Sequence, residues 1–467
     1  MKGNNRSFTR FLAPAAFLAA GGFFGLALPY HLMRREQLDL FVYDWDYLCQ
    51  TYRGTGWLAR LGGDFLEQFF HLPVVGPLLV ALLLTGIGAV VYRICRHFLG
   101  RWPSLGLAVA FFLWSFFRET GGFHLTRYTV AVLGYLSLVL LALQCKRAWL
   151  RPVAAVALLA AGAWALGSPF HKEYGRAWNF PDFRLERVFG LDAEVARERW
   201  DRVLALSRED LSVEEASYCY NLAQAMQGAL GDKLLDFPQN HHYTLLFPVS
   251  SDRSIFTNSL AGEAWFHLGD LTVAEQSAIT SLQASPRHTG VRFLVRLARV
   301  DLVLGEDGAA QKYLDLLSKT LFYGKWARSM MPGSQDETAR AALERARARL
   351  IRRDIVHHSQ EPRTILLELL RADPSNQLAR NYLLCYDLLR YDLDAFMADY
   401  AAIPVPGRLY REAILIWLSR NGRLNPEEVA RQGIDTAEVD RMGRFGRNPS
   451  RYRNTYWYYY LQAMQAE

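Results

Sequence analysis

Long apolar runs separated by short charged links fill the first 170 residues, and beyond them apolar positions recur at helical spacing. The runs extend from Phe11 to Tyr30, Leu72 to Tyr92, Trp102 to Phe117, Tyr128 to Leu143 and Pro152 to Phe170. Each is near the ~20 residues that a helix needs to cross a bilayer, although the third and fourth are short enough for a buried hairpin. This pattern predicts an all-α chain: a bundle of about five transmembrane helices over residues 1–171, followed by a soluble helical domain over 172–467.

The charges of the links predict an orientation. Lys2, Arg6 and Arg10 precede the first run, Arg93, Arg96 and Arg101 follow the second, and Lys146, Arg147 and Arg151 follow the fourth. These three segments hold nine basic residues and no acidic one. The loop over residues 32–71 instead carries Glu36, Asp39, Asp44, Asp46, Asp64 and Glu67 against four arginines. Because Lys and Arg collect on the cytoplasmic side, the amino terminus is expected inside. After five crossings, residues 172–467 lie outside, in the periplasm of a bacterial inner membrane. The basic balance belongs to this topology. The first 171 residues carry 15 Lys+Arg and 7 Asp+Glu, and chain totals of 53 and 46 leave 38 and 39 for the remainder. A nucleic-acid partner would need its positive charge on the soluble domain, so this class is rejected.

Within the outer loop, the stretch from Trp57 to Phe70 places Leu58, Leu61, Phe65 and Phe69 on one helical face and Arg60, Asp64, Glu67 and Gln68 elsewhere. Such a helix is suited to lie in the membrane interface. Ahead of it, Phe41 to Tyr47 alternates aromatic and acidic residues, as in an interfacial aromatic belt. Gly21 and Gly25 form a GxxxG in the first run, and small residues from Ala154 to Ala163 crowd the fifth. Both are read as close packing within one chain.

In the second half, Gly269-Asp270 separates a helix containing Gly262 and Trp265 from one containing Ala274, Ala278 and Leu282, with Pro286 beyond. Gly stops the first helix, small residues admit the second, and Pro ends it. This resembles a tetratricopeptide repeat, a helix–turn–helix of about 34 residues. Related turns are expected at Gly305-Glu306, at Gly231-Asp232 closing a helix with Tyr218, Leu222 and Ala225, and around Asp373-Pro374 and Tyr391-Asp392. Stacked pairs of this kind form an α-solenoid, whose groove usually takes a protein or peptide. The terminal Tyr456-Trp457-Tyr458-Tyr459-Tyr460 is expected to dock as a cap on the last repeat.

Catalytic signatures for zinc peptidases, P-loop nucleotidases and serine hydrolases are missing from the sequence. His241-His242 and His357-His358 are adjacent pairs, which point about 100° apart on a helix and suit the surface better than one metal. Cys49, Cys95, Cys145, Cys219 and Cys385 are scattered, and Cys219 and Cys385 are expected as buried free thiols. No charge interrupts the apolar runs, which weighs against a transporter. No cofactor and no metal are expected. The oligomeric state is left open by the sequence.

Four stretches, Glu36 to Phe41, Phe65 to Phe70, Thr320 to Ala327 and Asn454 to Tyr460, resemble a bacterial family of multi-pass membrane proteins with a helical extracytoplasmic carboxy-terminal half. The resemblance implies that architecture and no established activity. The functional expectation is a scaffold whose membrane bundle anchors a periplasmic solenoid for a protein or peptide partner. The alternative is an enzyme, or a subunit of one, that transfers sugars from lipid-linked donors. Its catalytic candidates are Asp44 and Asp46, as base or cation ligands in the first outer loop.

Overall fold

The computed structural model describes residues 4–121, 125–145, 150–174, 180–209, 213–350, 361–402 and 404–466. Among them every regular element is helical, as the all-α expectation requires. The chain forms two compact units. One comprises residues 1–189, 284–298 and 311–334, and the other residues 190–283, 299–310 and 335–467. The sequence boundary at residue 171 therefore differs from the division by compactness, since two later segments group with the amino-terminal helices.

In the first unit, α1 (Asn4–Gly22) runs into a single π-helical stretch, Phe23–Ala27, and then α2 (Pro29–Gln37). Leu28 leaves the helical region, Pro29 starts α2 at its first position, and the axis bends by 75°. There follow α3 (Trp45–Thr51), α4 (Trp57–Glu67), α5 (Val75–Cys95), α6 (Arg101–Glu119), α7 (Leu125–Gln144) and α8 (Leu150–Gly167). Helices thus stand at all five apolar runs, but among the described residues only α5 and α7 are long and apolar enough by themselves to span a membrane. Counting the bent pair Phe11–Ala27 and Pro29–Gln37 as one span gives a third. On this measure two or three candidate spans stand among the described residues where five are expected. Arg101, Pro103, Arg118 and Glu119 dilute the apolar run of α6, and the described apolar run of α8, Pro152–Gly167, is short.

Ala20, Phe24, Leu28, Leu32, Phe70, Val80, Ala81 and Leu84 make the core that joins α1 and α2 to α5. A Cβ at Gly21 or Gly25 would lie 3.7 Å from Ala81 or Pro77, so this GxxxG packs against α5 of its own chain. Gly162 of α8 lies so close to Tyr135 that a Cβ would meet its hydroxyl at 2.5 Å.

The second unit contains the helix pair read around Gly269. Ile255–Leu268 ends at Gly269, whose φ of 103° is left-handed, and Leu271–Ala284 follows. A Cβ at Gly262 would clash with Ser277, which is how closely the pair packs. Gly305, also at positive φ, separates Val291–Leu304 from Asp307–Ser318. Pro362–Ala372, Gln377–Leu389 and Leu393–Ala402 follow at the later predicted turns. One turn is displaced. The helix with Tyr218, Leu222 and Ala225 ends at Met226 and turns at Gly228, φ 71°, whereas Gly231 lies inside the short helix Leu230–Lys233. Gly231 is small for another reason, since a Cβ there would meet the Tyr410 ring at 2.7 Å.

The carboxy-terminal helix Tyr456–Ala466 docks as expected. Trp457 donates its indole N–H to the Glu412 carbonyl at 3.0 Å, and the Tyr456 amide donates to the Glu412 carboxylate at 2.7 Å. Cys219 and Cys385 are buried free thiols. His241 and His242 sit beside Tyr243, while His357 and His358 lie outside the described residues.

Candidate functional site

The polar face of α4 is its buried face. Asp64 and Glu67, three positions apart and so on one side of the helix, are 2% and 1% exposed. Trp57, Leu58 and Phe65 are exposed. A helix packed this way turns apolar side chains outward, which suits a lipid interface, and must find cations inside. Those cations are arginines from elements distant in sequence. Arg35 of α2 donates to Glu67 and to Glu119 of α6, each at 2.7 Å, and to Thr126 of α7 at 2.7 Å. Thr129 donates to the same Glu119 carboxylate.

A second cluster adjoins it on α4. Arg127, in the first turn of α7, pairs with Asp64 through Nε and with Asp39 through Nη2 at 3.0 Å, and donates to the Tyr174 hydroxyl at 2.9 Å. A cation in a first helical turn opposes the helix dipole, so these two carboxylates offset that as well as the burial. Arg287 reaches the same pair, joining Asp39 and lying 3.1 Å from Asp64. The backbone that delivers it is left-handed at two successive non-glycine residues, Arg287 at φ 56° and His288 at φ 57°. Such residues cost roughly 1–2 kcal/mol each, and the ion pairs offset this. Tyr52 donates to Asp64 at 2.8 Å, and the Leu40 amide donates to Asp39 at 2.8 Å. Burial, then the Asp39 carboxylate, push the Asp64 carboxyl up to about 6 against the pull of Arg127 and Arg287.

Close backbone approach makes this possible. Gly63 lies on Arg127, where a Cβ would stand 2.7 Å from its Cα. Any side chain at 63 would push α4 off α7 and part Asp64 from Arg127.

Carboxylate oxygens of Asp39, Asp64 and Glu67 lie within 4.8 Å of one another. They line a cavity of about 30 Å³ together with Glu36, Gln68 and residues 320–323. That space holds a water or two, or one ion. As a donor set, three carboxylates suit a hard divalent cation. Arg35, Arg127 and Arg287 already neutralise most of their charge, so the geometry is that of an ion-pair network first.

The residues predicted as catalytic stand elsewhere. Asp44 caps α3, accepting from the Tyr47 amide at 3.1 Å, and pairs with Lys319 at 2.7 Å. The hydrogen bond from Lys319 holds the Asp44 carboxyl below its usual range and raises the Lys319 ammonium. Asp46 is an exposed residue of the first turn of α3. Around them, later segments meet the loop repeatedly. Tyr323 donates to Glu36 at 3.1 Å, Phe322 stacks on His71 at 4.8 Å, and the Tyr43 amide donates to the Lys319 carbonyl at 2.8 Å. The sequence signal that was available for the network is the i,i+3 spacing of Asp64 and Glu67. Arg287, 248 residues from Asp39, had none.

No curated protein and no solved structure shows significant similarity to this chain. The pattern of one family does match, over residues 5–173 and 168–463, which together take in nearly the whole sequence and both of its units. The chain therefore belongs to DUF6057, a family of unknown function.

Proposed function

We propose that this chain is a membrane-anchored interaction scaffold. Five helices cross the bilayer with the amino terminus inside, and a solenoid of helix pairs on the outer side receives a protein or peptide. The observation that carries this reading is the engagement of five of the six carboxylates in the loop over residues 32–71. Asp39, Asp64 and Glu67 are salt-bridged to arginines, Asp44 is a helix cap paired with Lys319, and Glu36 accepts from Tyr323 beside His71. A general base needs an oxygen that can take a proton from a reacting group, and these oxygens are committed to structure.

Contacts along the loop support the sidedness. Residues 287, 319, 322 and 323 touch the loop that follows the first helix. These contacts support a reading in which segments 284–298 and 311–334 lie on the side reached after one crossing, as an odd number of spans would have them. The ends of α6 and α7 support five. Glu119 at the end of α6 and Thr126 at the start of α7 share Arg35, so α6 returns to the level from which α7 departs.

A second reading, transfer from a lipid-linked donor through Asp44 and Asp46, is favoured by the exposure of the Asp46 side chain in that loop. The two readings separate in cells that depend on this protein. Asp44→Asn with Asp46→Asn should leave the partners crosslinked to the outer half, and the growth or envelope phenotype, at wild-type levels. Loss of the phenotype with insertion, folding and crosslinking intact would contradict the scaffold and favour the enzyme.

A further inference from the structure

A larger cavity, of about 440 Å³, opens beside Arg35 and is lined by Leu28, His31, Arg34, Leu185 and Phe189 among others. Its volume is in the range that takes a small organic ligand. One side of it is cationic and hydrogen-bonding, the other apolar. We propose that this cavity binds a phosphate-bearing amphiphile, the anionic head held by Arg34 and Arg35 and the apolar body by Leu28, Leu185 and Phe189.

Arg35 supplies the first argument. It is 2% exposed, both its Nη atoms are taken by Glu119, Glu67 and Thr126, and its Nε has no hydrogen-bond partner among the described residues. A buried donor without an acceptor is costly, and an anionic oxygen in the cavity would satisfy it. Arg34 supplies the second. Its guanidinium lies 3.6 Å over the centre of the Phe189 ring, an arrangement in which the ring holds the face and the N–H groups point outward along the edge.

Asp182, the acidic residue of the lining, has its carboxylate occupied at the start of the next helix, where it accepts from the Arg184 and Leu185 amides at 3.0 Å. Glu186, next to Arg34, accepts from the Tyr30 amide at 2.6 Å, and burial pushes its carboxyl up to about 8. Leu28 marks the 75° bend where the first apolar helix gives way to α2. If that helix crosses the bilayer, as proposed above, the cavity opens at the depth of lipid head groups. That supplies a phospholipid as one source, and a soluble phosphate ester is the other.

The test uses the full chain purified in detergent, with native mass spectrometry in the presence of phosphatidylglycerol and phosphatidylcholine of the same acyl chains. Thermal shift with glycerol phosphate and with inorganic phosphate forms the second arm. Phosphatidylglycerol should be retained over phosphatidylcholine by about 5-fold, the worth of one well-placed arginine, and Arg34→Gln should bring the ratio near one. Leu185→Trp, which fills the rim without altering charge, should lower retention of both lipids. A shift by glycerol phosphate that both variants abolish would support the site with a soluble ligand. Absence of any preference and any shift, or a preference unchanged in both variants, would overturn the proposal. Protease protection of the loop in vesicles, measured separately, reports on the membrane anchor without reference to this cavity.

Discussion

Arg127 illustrates what a buried charge demands of its neighbours. It is 1% exposed and bound to two carboxylates and a tyrosine. Arg127→Gln should therefore destabilise the chain by about 3–5 kcal/mol, because it leaves two buried carboxylates, Asp39 and Asp64, to share Arg287. Thermal melting in detergent would measure this, and a change under 1 kcal/mol would contradict the network. Glu412 behaves differently, since burial pushes its carboxyl up to about 7. An acid whose folded-state pKa is raised binds more protons folded than unfolded over the interval between the two values. Its contribution is present at low pH and is lost as pH rises through about 7. The chain should lose stability between pH 5 and 8, and Glu412→Gln should flatten that slope by on the order of 1–3 kcal/mol over the range. A variant with the slope of the wild type would exclude Glu412 as its source.

Packing of α4 on α7 turns on a single missing methyl group. Gly63→Ala would set a Cβ against the backbone of Arg127 and should cost about 1–3 kcal/mol, whereas Gly62→Ala, facing the Val130 side chain at 3.4 Å, should be nearly neutral. Equal effects at the two positions would refute the close approach. At this scale the sequence is most legible where a pattern is local. The turn at Gly269, the docked aromatic terminus and the apolar face of α4 all follow from spacing within one or two helices. The same spacing misleads on the polar face of α4. Periodicity separates two faces but does not say which is buried, and in α4 the polar face is the buried one. Gly231 misled similarly, because glycine serves a close contact with Tyr410 there rather than a turn. The buried network was illegible because Asp39, Arg127 and Arg287 are joined only by tertiary folding. Asp44 and Asp46 drew attention through their position in the loop, and one proves to be a cap and the other exposed.

Within the first compact unit, the loop over residues 32–71 is where distant segments of the chain meet. Apolar helices lead into it, a buried set of ion pairs fixes it, and segments 284–298 and 311–334 belong to the same compact unit. If the first helix crosses the bilayer, the contacts of Asp39 with Arg287 and of Asp44 with Lys319 put segments 284–298 and 311–334 opposite the amino terminus. Three crossings or five satisfy this, and two do not. Sidedness of the last residue therefore tests the account most directly. Alkaline phosphatase fused after Glu467 should be active in cells, and a fluorescent protein that folds only in the cytoplasm should be dark at the same position. A dark phosphatase and a bright fluorescent fusion would place the carboxy terminus inside and contradict the membrane-anchored scaffold with an outer helical half.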